Sequence, residues 1–345
     1  MKTLKIIQVG TGGWGVSWID KLMKHPNSEL VALVDISQDQ LDAAVKAYDF
    51  EKGKCFTKLS DALKTVQADA ALIVVPPRQH RETAEEAFAA GLHVLMEKPL
   101  SDTIEDAKAI VAAGEKAGKK LMVSQNYRFK RAPQTARDVI ARGLAGDVCT
   151  VYINFMKAPL FDGFRTEMFE PLIQDMSIHH FDQIRGVLGL NPVSIQARSW
   201  NTKWSNFKGN PCAQVLFEMD NGAVVTYMGS WVSNGWNTSW DGDWHIQGTG
   251  GEITWANNRV TLLPSNLFGS VFQDGALEKS GRLYFDLLPM EYEERMATLH
   301  EFVSSVSEGR QPQTSGADNL YSMAMVLGAA ESTKDGGIVQ IKDIL

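Results

Sequence analysis

The sequence predicts two domains of different class. Residues 1–125 read as an α/β domain on a parallel sheet, and residues 126–345 as an α+β domain with a mostly antiparallel open sheet. Two observations carry this. From Leu4 to Ser124 short apolar runs alternate with longer helical stretches, and strands that are apolar throughout and joined by helices imply a parallel sheet covered on both faces. After Tyr127 the strand-like runs follow one another through short turns, the pattern of an antiparallel sheet.

In the first domain the apolar runs are Leu4–Val9, Leu30–Asp35, Ala70–Val75, His93–Met96 and Lys120–Ser124. The helical stretches between them include Val16–Lys24, Gln38–Tyr48, Arg81–Ala90 and Thr103–Ala117, with Gly91 and Gly118 placed for left-handed helix ends. In the second domain a helix over Ala132–Arg142 precedes a strand over Val148–Met156 and a helical patch over Pro171–Leu188. Strands follow over Ser194–Trp200, Cys212–Glu218, Ala223–Trp231, Asp243–Gly248, Glu252–Ala256 and Arg259–Leu263. Asp220-Asn221-Gly222 marks a hairpin between two of them. Helical pattern returns over Pro289–Ser307 and Ala317–Lys334.

The 345 residues are 44% hydrophobic and 22% charged, a mixture that supports a core in each domain. The formal net charge of −7 and the lack of a basic run argue against nucleic acid as a partner. Cys55, Cys149 and Cys212 are widely spaced and form no CxxC, so neither a disulfide framework nor a zinc site is expected and a reducing compartment is. The apolar N-terminal stretch stops at the glycines, too early for a signal segment, and no run reaches the length of a membrane span. A cytoplasmic location is the expectation.

Gly10-Thr11-Gly12-Gly13-Trp14-Gly15 fits G-x-G-x-x-G between a strand and a helix, the context in which such a turn binds a dinucleotide. Gly10 permits the tight turn, Gly12 the approach of a pyrophosphate, and Gly15 close helix–strand packing; Gly13 is an additional glycine of the turn. The helix N-terminus supplies N–H groups and positive dipole. Asp35 ends the second strand twenty residues after Gly15, where a carboxylate hydrogen-bonds ribose hydroxyls and repels a 2′-phosphate. The expected cofactor is therefore NAD rather than NADP.

Glu97-Lys98-Pro99 follows the strand His93–Met96, so Lys98 stands at the carboxyl end of a parallel strand, where open α/β sheets bind ligands. A lysine there equally suits a solvated loop. On a helix advancing roughly 100° per residue, Asp175, His179 and Asp182 share one narrow polar stripe. His180 falls with Ile173, Ile184, Val187 and Leu188 on the apolar side, as a hydrogen-bonded core histidine would. His179 alone reads either as a functional group or as a surface histidine beside acids.

The dinucleotide turn, Pro76-Pro77-Arg78-Gln79-His80, Glu97-Lys98-Pro99 and Asp175 through Asp182, in that order, resemble the Gfo/Idh/MocA oxidoreductase family. Ser177 stands where the family often has glycine, and Asn126-Tyr127-Arg128-Phe129, Gly248-Thr249-Gly250-Gly251 and Asp318-Asn319-Leu320 extend the resemblance over essentially the whole chain. It implies a Rossmann domain and an NAD-dependent dehydrogenase. Thr11, Trp14, Pro76, His80, Glu97 and Lys98 join the glycines and Asp35 at the cofactor; for His80 a role as a helix-start residue is equally open. Lys98, Asp175 and His179 are the implied catalytic set, with either Lys98 or His179 as the immediate base. Tyr127, Arg128 and Arg165 are implied near the substrate, although both arginines also suit structural ion pairs. No metal is expected, since hydride transfer beside Lys98 needs none.

The expected substrate is a polyhydroxylated sugar, sugar derivative or inositol, with Trp236 and Trp240 in a loop suited to sugar C–H groups. Imine reduction, NAD-assisted glycoside cleavage and a non-catalytic sensor are the competing readings. Seven of the nine tryptophans lie between Trp200 and Trp255, which leads to the expectation of a homodimer or homotetramer built through the exposed face of the second sheet.

Overall fold

The computed structural model describes residues 2–265 and 281–345. The chain forms two compact units, one of residues 1–126 with 291–320 and one of residues 127–290 with 321–345. The expected division at 125/126 thus differs in one segment: Glu291–Leu320, expected in the second domain, packs with the first.

Among the described residues the first unit holds a six-stranded parallel sheet of β1 (Leu4–Val9), β2 (Ser28–Val34), β3 (Cys55–Phe56), β4 (Ala70–Ile73), β5 (His93–Glu97) and β6 (Leu121–Ser124), in the order β3-β2-β1-β4-β5-β6. Its helices are α1 (Val16–Lys24), α2 (Gln38–Tyr48), α3 (Leu59–Thr65), α4 (His80–Ala89) and α5 (Ile104–Lys116). The central strands β1, β4, β5 and β6 and the second half of β2 are buried almost throughout, as apolar runs covered on both faces must be, while the edge strand β3 is half-buried. The winding reverses between β1 and β4, the switch point at which such sheets open a crevice. Gly91 and Gly118 end α4 and α5 with positive φ, as expected.

The second unit holds α6 (Arg131–Ala141), β7 (Val148–Met156), α7 (Phe164–Glu167), a π-helical turn over Leu172–Ser177 and α8 (Ile178–Leu188). The strands β8 (Pro192–Trp200), β9 (Cys212–Met219), β10 (Val224–Ser230), β11 (Asp243–Gly248), β12 (Gly251–Ala256), β13 (Arg259–Pro264) and β14 (Leu283–Phe285) follow. Two helices, α9 (Glu294–Glu308) and α10 (Gly316–Ser332), and the short β15 (Val339–Gln340) complete the chain. α9 lies in the first unit, and the unit boundary at Leu320 falls inside α10. Among the described residues the sheet has nine strands in the order β14-β13-β12-β11-β7-β10-β9-β8-β15, antiparallel except for the β7–β10 pair. Gly222, at φ 83°, closes the expected β9–β10 hairpin.

Alternation along these strands sends Val151, Ile153, Phe155, Val215, Phe217, Tyr227, Trp244 and Trp255 into one core with residues of α6, α8 and α10. The expectation that the tryptophans cover the outer face of this sheet is not met. Trp231, Trp244 and Trp255 are buried, with Trp244 and Trp255 stacked at 4.9 Å; Trp204, Trp236 and Trp240 are exposed but lie outside the strands, and Trp200, at the end of β8, is 36% exposed. Burying a tryptophan removes more apolar area from water than any other side chain offers, so the inner face takes them.

Candidate active site

In the first unit the dinucleotide turn is shaped by crowding. Gly10 has φ 96°, and a Cβ on it would lie 2.5 Å from the Val74 carbonyl oxygen, so only glycine fits where β1 passes β4. A Cβ on Gly15 would strike the Gly10 carbonyl oxygen. The buried Gln8 side chain fixes the turn from below, donating to the Gly10 and Gly15 carbonyls at 2.9 and 2.8 Å. Above the turn there is room: a Cβ on Gly13 would meet nothing within 4 Å, and one on Gly12 only the end of Gln40 at 3.4 Å. α1 begins here with no acidic residue in its first turn. An open cradle of backbone at a helix N-terminus fits a pyrophosphate.

Asp35 is anchored beside it. Its carboxylate accepts hydrogen bonds from the Thr11 backbone N–H at 2.8 Å, the Thr11 hydroxyl at 3.1 Å and the Ser37 backbone N–H at 2.9 Å. These donors pin the carboxylate: Oδ2 takes two of them and Oδ1 one, which leaves Oδ1 with acceptor capacity toward a ribose hydroxyl.

Glu97 ties the turn to the next candidate. Its Oε1 accepts from the indole N–H of Trp18 at 2.7 Å, the indole N–H of Trp14 at 3.1 Å and the Ser124 hydroxyl at 3.2 Å. Its Oε2 accepts from the Lys98 backbone N–H at 3.2 Å. Burial pushes the carboxyl up from its ordinary value, against these hydrogen bonds and the charge of Lys98. Lys98 is thereby held at the carboxyl end of β5, followed by a cis peptide bond to Pro99. His80 is fully buried, with its ring nitrogens 3.2 Å from the Leu100 carbonyl and 2.9 Å from the Val75 carbonyl, and desolvation lowers its pKa. It packs at the start of α4 and joins the ends of β4 and β5, the structural one of its two readings.

In the second unit the π-helical turn changes the expected stripe, because its residues advance less per step than in an α-helix. Asp175 pairs with Arg165 at 2.6 Å, and the Arg165 guanidinium also lies over the rings of Phe164 and Phe161. His179 stacks on Tyr127, ring centroids 4.3 Å apart and 17° from parallel. Lys130 caps the Tyr127 ring, its ammonium 3.6 Å from the centroid, and pairs with Asp241 at 3.0 Å. Asp182, expected on the polar stripe with His179, is buried, as His179 is, and receives both Arg128 Nε at 2.8 Å and Nη2 at 2.5 Å, with the Ser322 hydroxyl at 2.9 Å. Arg128 is buried against Gly186, where a Cβ would clash with it. Of its two sequence readings, the geometry gives it the structural ion pair.

His180 does face the core. Its ring is fully buried, with Nδ1 3.1 Å from the Tyr227 hydroxyl and Nε2 3.0 Å from the Trp240 carbonyl, and burial lowers its pKa to about 4. Within the first unit Thr11 meets Asp35 and Trp14 meets Glu97, and within the second Asp175 meets Arg165 and His179 stacks on Tyr127. Sequence reading missed Trp18, Ser124, Lys130 and Asp241, whose partners lie far away in sequence and carry no local signature. Among the described residues no three His, Cys, Asp or Glu side chains converge as a metal site would require.

Residues 4–125 match the model of an oxidoreductase family with an NAD-binding Rossmann fold, and residues 133–254 match the Gfo/Idh/MocA C-terminal domain. The chain is 26% identical over 356 residues to D-apiose dehydrogenase of Paraburkholderia graminis, spanning 100% of this chain and 91% of that protein. It is 28% identical over 226 residues to inositol 2-dehydrogenase of Corynebacterium glutamicum, covering 65% of this chain and 66% of that one. The crystal structure of an oxidoreductase from Agrobacterium radiobacter, solved with NAD+, L-tartaric acid and magnesium, superposes with a TM-score of 0.87 at 24% identity over the whole of both chains. With a family match in each half and relatives aligned along its full length, the chain belongs to the Gfo/Idh/MocA family of oxidoreductases and carries that family's NAD-binding Rossmann domain.

Proposed function

We propose that the protein transfers hydride between NAD and a secondary hydroxyl or keto group of a sugar, sugar derivative or inositol. The observation that carries this is the Glu97 hub: one carboxyl joins two side chains of the dinucleotide segment to the backbone of Lys98. The backbone of Lys98 is thereby tied to the dinucleotide segment, which supports a role for its side chain at the developing alkoxide. The names of the dehydrogenase relatives support the substrate class.

In this reading NAD, when bound, supplies the hydride acceptor. Lys98 stabilises the developing oxyanion and orients the reacting hydroxyl. His179, its ring plane set by Tyr127, takes the proton. Asp175, set by Arg165, accepts a hydrogen bond from a neighbouring hydroxyl. Arg165 and Tyr127 add further polar contacts, and the exposed rings of Trp236 and Trp240 offer flat apolar faces to sugar C–H groups. An apolar substrate would leave these polar groups unpaired, at roughly 1–3 kcal/mol each. The test is NADH formation across a panel of aldoses, polyols and inositols. Activity confined to apolar alcohols, aldehydes or amino acids would overturn the reading.

We also propose a cytoplasmic homo-oligomer. The three cysteines are free thiols, and among the described residues no helix is long and apolar enough to cross a membrane. The outer face of the nine-stranded sheet exposes Tyr152, Leu216 and Val224, and carries a shallow depression of about 340 Å³ lined by Tyr152, Asn154, Met228, His245 and Glu252. Apolar side chains around a polar depression suit a second copy of the same face. A monomeric mass at micromolar concentration, or a mass unchanged by Leu216→Glu in an oligomer, would refute this interface.

A further inference from the structure

The segment that returns to the first unit carries a cation to the dinucleotide turn. α1 packs against α9, and Arg295, on the first turn of α9, lies with its guanidinium carbon 4.3 Å from the centroid of the Trp14 ring. Its Nη1 donates to the Ser17 hydroxyl, which in turn donates to the Trp14 carbonyl at 2.6 Å. Trp14 is held on its edge by Glu97 yet remains 57% exposed. The indole is thus fixed, and it fixes the guanidinium in turn.

The charge balance is one-sided. Among the described residues Arg295 makes no ion pair with a carboxylate. α1 has no acid in its first turn to offset its positive end. An arginine and a helix N-terminus therefore add their potentials at the same turn, above glycines that leave the backbone open. One hydrogen bond to Ser17 uses one of five guanidinium donors, and the planar fork suits two oxygens of a phosphate.

We propose that Arg295 is a pyrophosphate ligand of the cofactor, held ready by stacking on Trp14. The inference rests on the NAD reading of the turn and adds to it a ligand 280 residues beyond Gly15. It also gives the 291–320 segment a task in the unit with which it packs. Trp14 is a positioning residue here: removing its ring frees the guanidinium without removing its charge.

The test is calorimetric binding of NAD+, ADP and adenosine to wild type, Arg295→Ala and Arg295→Lys. ADP keeps the pyrophosphate and adenosine lacks it. Arg295→Ala is expected to weaken ADP and NAD+ about tenfold, leave adenosine unchanged, and flatten the salt dependence of ADP binding. Arg295→Lys keeps the charge, loses the fork, and should fall between. ADP affinity unchanged in both variants would overturn the proposal. Equal weakening of adenosine and ADP would overturn it too, by giving Arg295 a purely structural role. Wild type that binds neither ADP nor adenosine would instead sink the NAD reading beneath it.

Discussion

His180→Gln separates the two neighbouring histidines by their physics. In the native protein the Ser177 hydroxyl donates to the Tyr227 hydroxyl, Tyr227 donates to His180 Nδ1, and His180 Nε2–H donates to the Trp240 carbonyl. A carbonyl only accepts, so Nε2 carries a proton, and burial keeps the ring neutral with Nδ1 as the acceptor. Burial lowers its pKa from 6.5 to about 4. A proton therefore binds the unfolded chain first as the pH falls. The stability tied to this residue is complete above pH 6.5 and is lost as the pH drops toward 4. The full span is worth about 3 kcal/mol, of which about 2 kcal/mol is gone by pH 5. Glutamine can donate to Trp240 and accept from Tyr227 but cannot titrate. Urea unfolding at pH 8 and pH 5 should show wild type losing about 2 kcal/mol more than His180→Gln. The variant should still form NADH, because His180 is sealed from solvent. Equal pH slopes in the two proteins, or a catalytically dead His180→Gln beside an active His179→Ala, would refute this assignment.

Other changes test single links. Lys98→Ala and His179→Ala should each lower kcat by roughly 10²–10⁴ while NAD+ affinity, read by calorimetry, persists. Asp35→Ala should weaken NAD+ and shift preference toward NADP+; a wild type that already prefers NADP+ by a wide margin would contradict the Asp35 argument. Arg128→Ala strands the buried Asp182 carboxylate and should cost about 3–5 kcal/mol of stability. A folded Arg128→Ala protein with only KM altered would return this arginine to the substrate.

Much of the first unit was legible because its signals are local. The strand–glycine–helix passage, the apolar runs and the spacing to Asp35 each report on a few neighbouring residues. Five expected elements, over Leu4–Val9, Val16–Lys24, Gln38–Tyr48, Val148–Met156 and Asp243–Gly248, coincide with β1, α1, α2, β7 and β11. The short β3 and α3 lacked a long enough pattern to read. In the candidate site, the partition of His179 and His180 was visible as helical periodicity, but the fate of Asp182 was not. The π-helical turn, which a stripe drawn at a constant angle does not foresee, shifts Asp175 alone, and nothing near Asp182 in sequence announces Arg128. The tryptophans misled for a related reason: alternation along a strand gives two faces, and composition alone does not say which one is buried. Contacts such as Trp18 with Glu97, or Arg295 with Trp14, join residues whose distance along the chain leaves no trace in local pattern.

Hydride transfer from a hydroxyl-bearing carbon to NAD is the central claim, and isotope transfer tests it most directly. A substrate found in the polyol and inositol panel, deuterated at the carbon bearing the oxidised hydroxyl, is incubated with the enzyme and NAD+. The nicotinamide product is then examined by mass and NMR. One deuterium per NADH, bound at the nicotinamide ring, is the expected result, with a rate slowed by the label when chemistry limits turnover. NADH formed without deuterium, or substrate consumed with no net NADH, would contradict it.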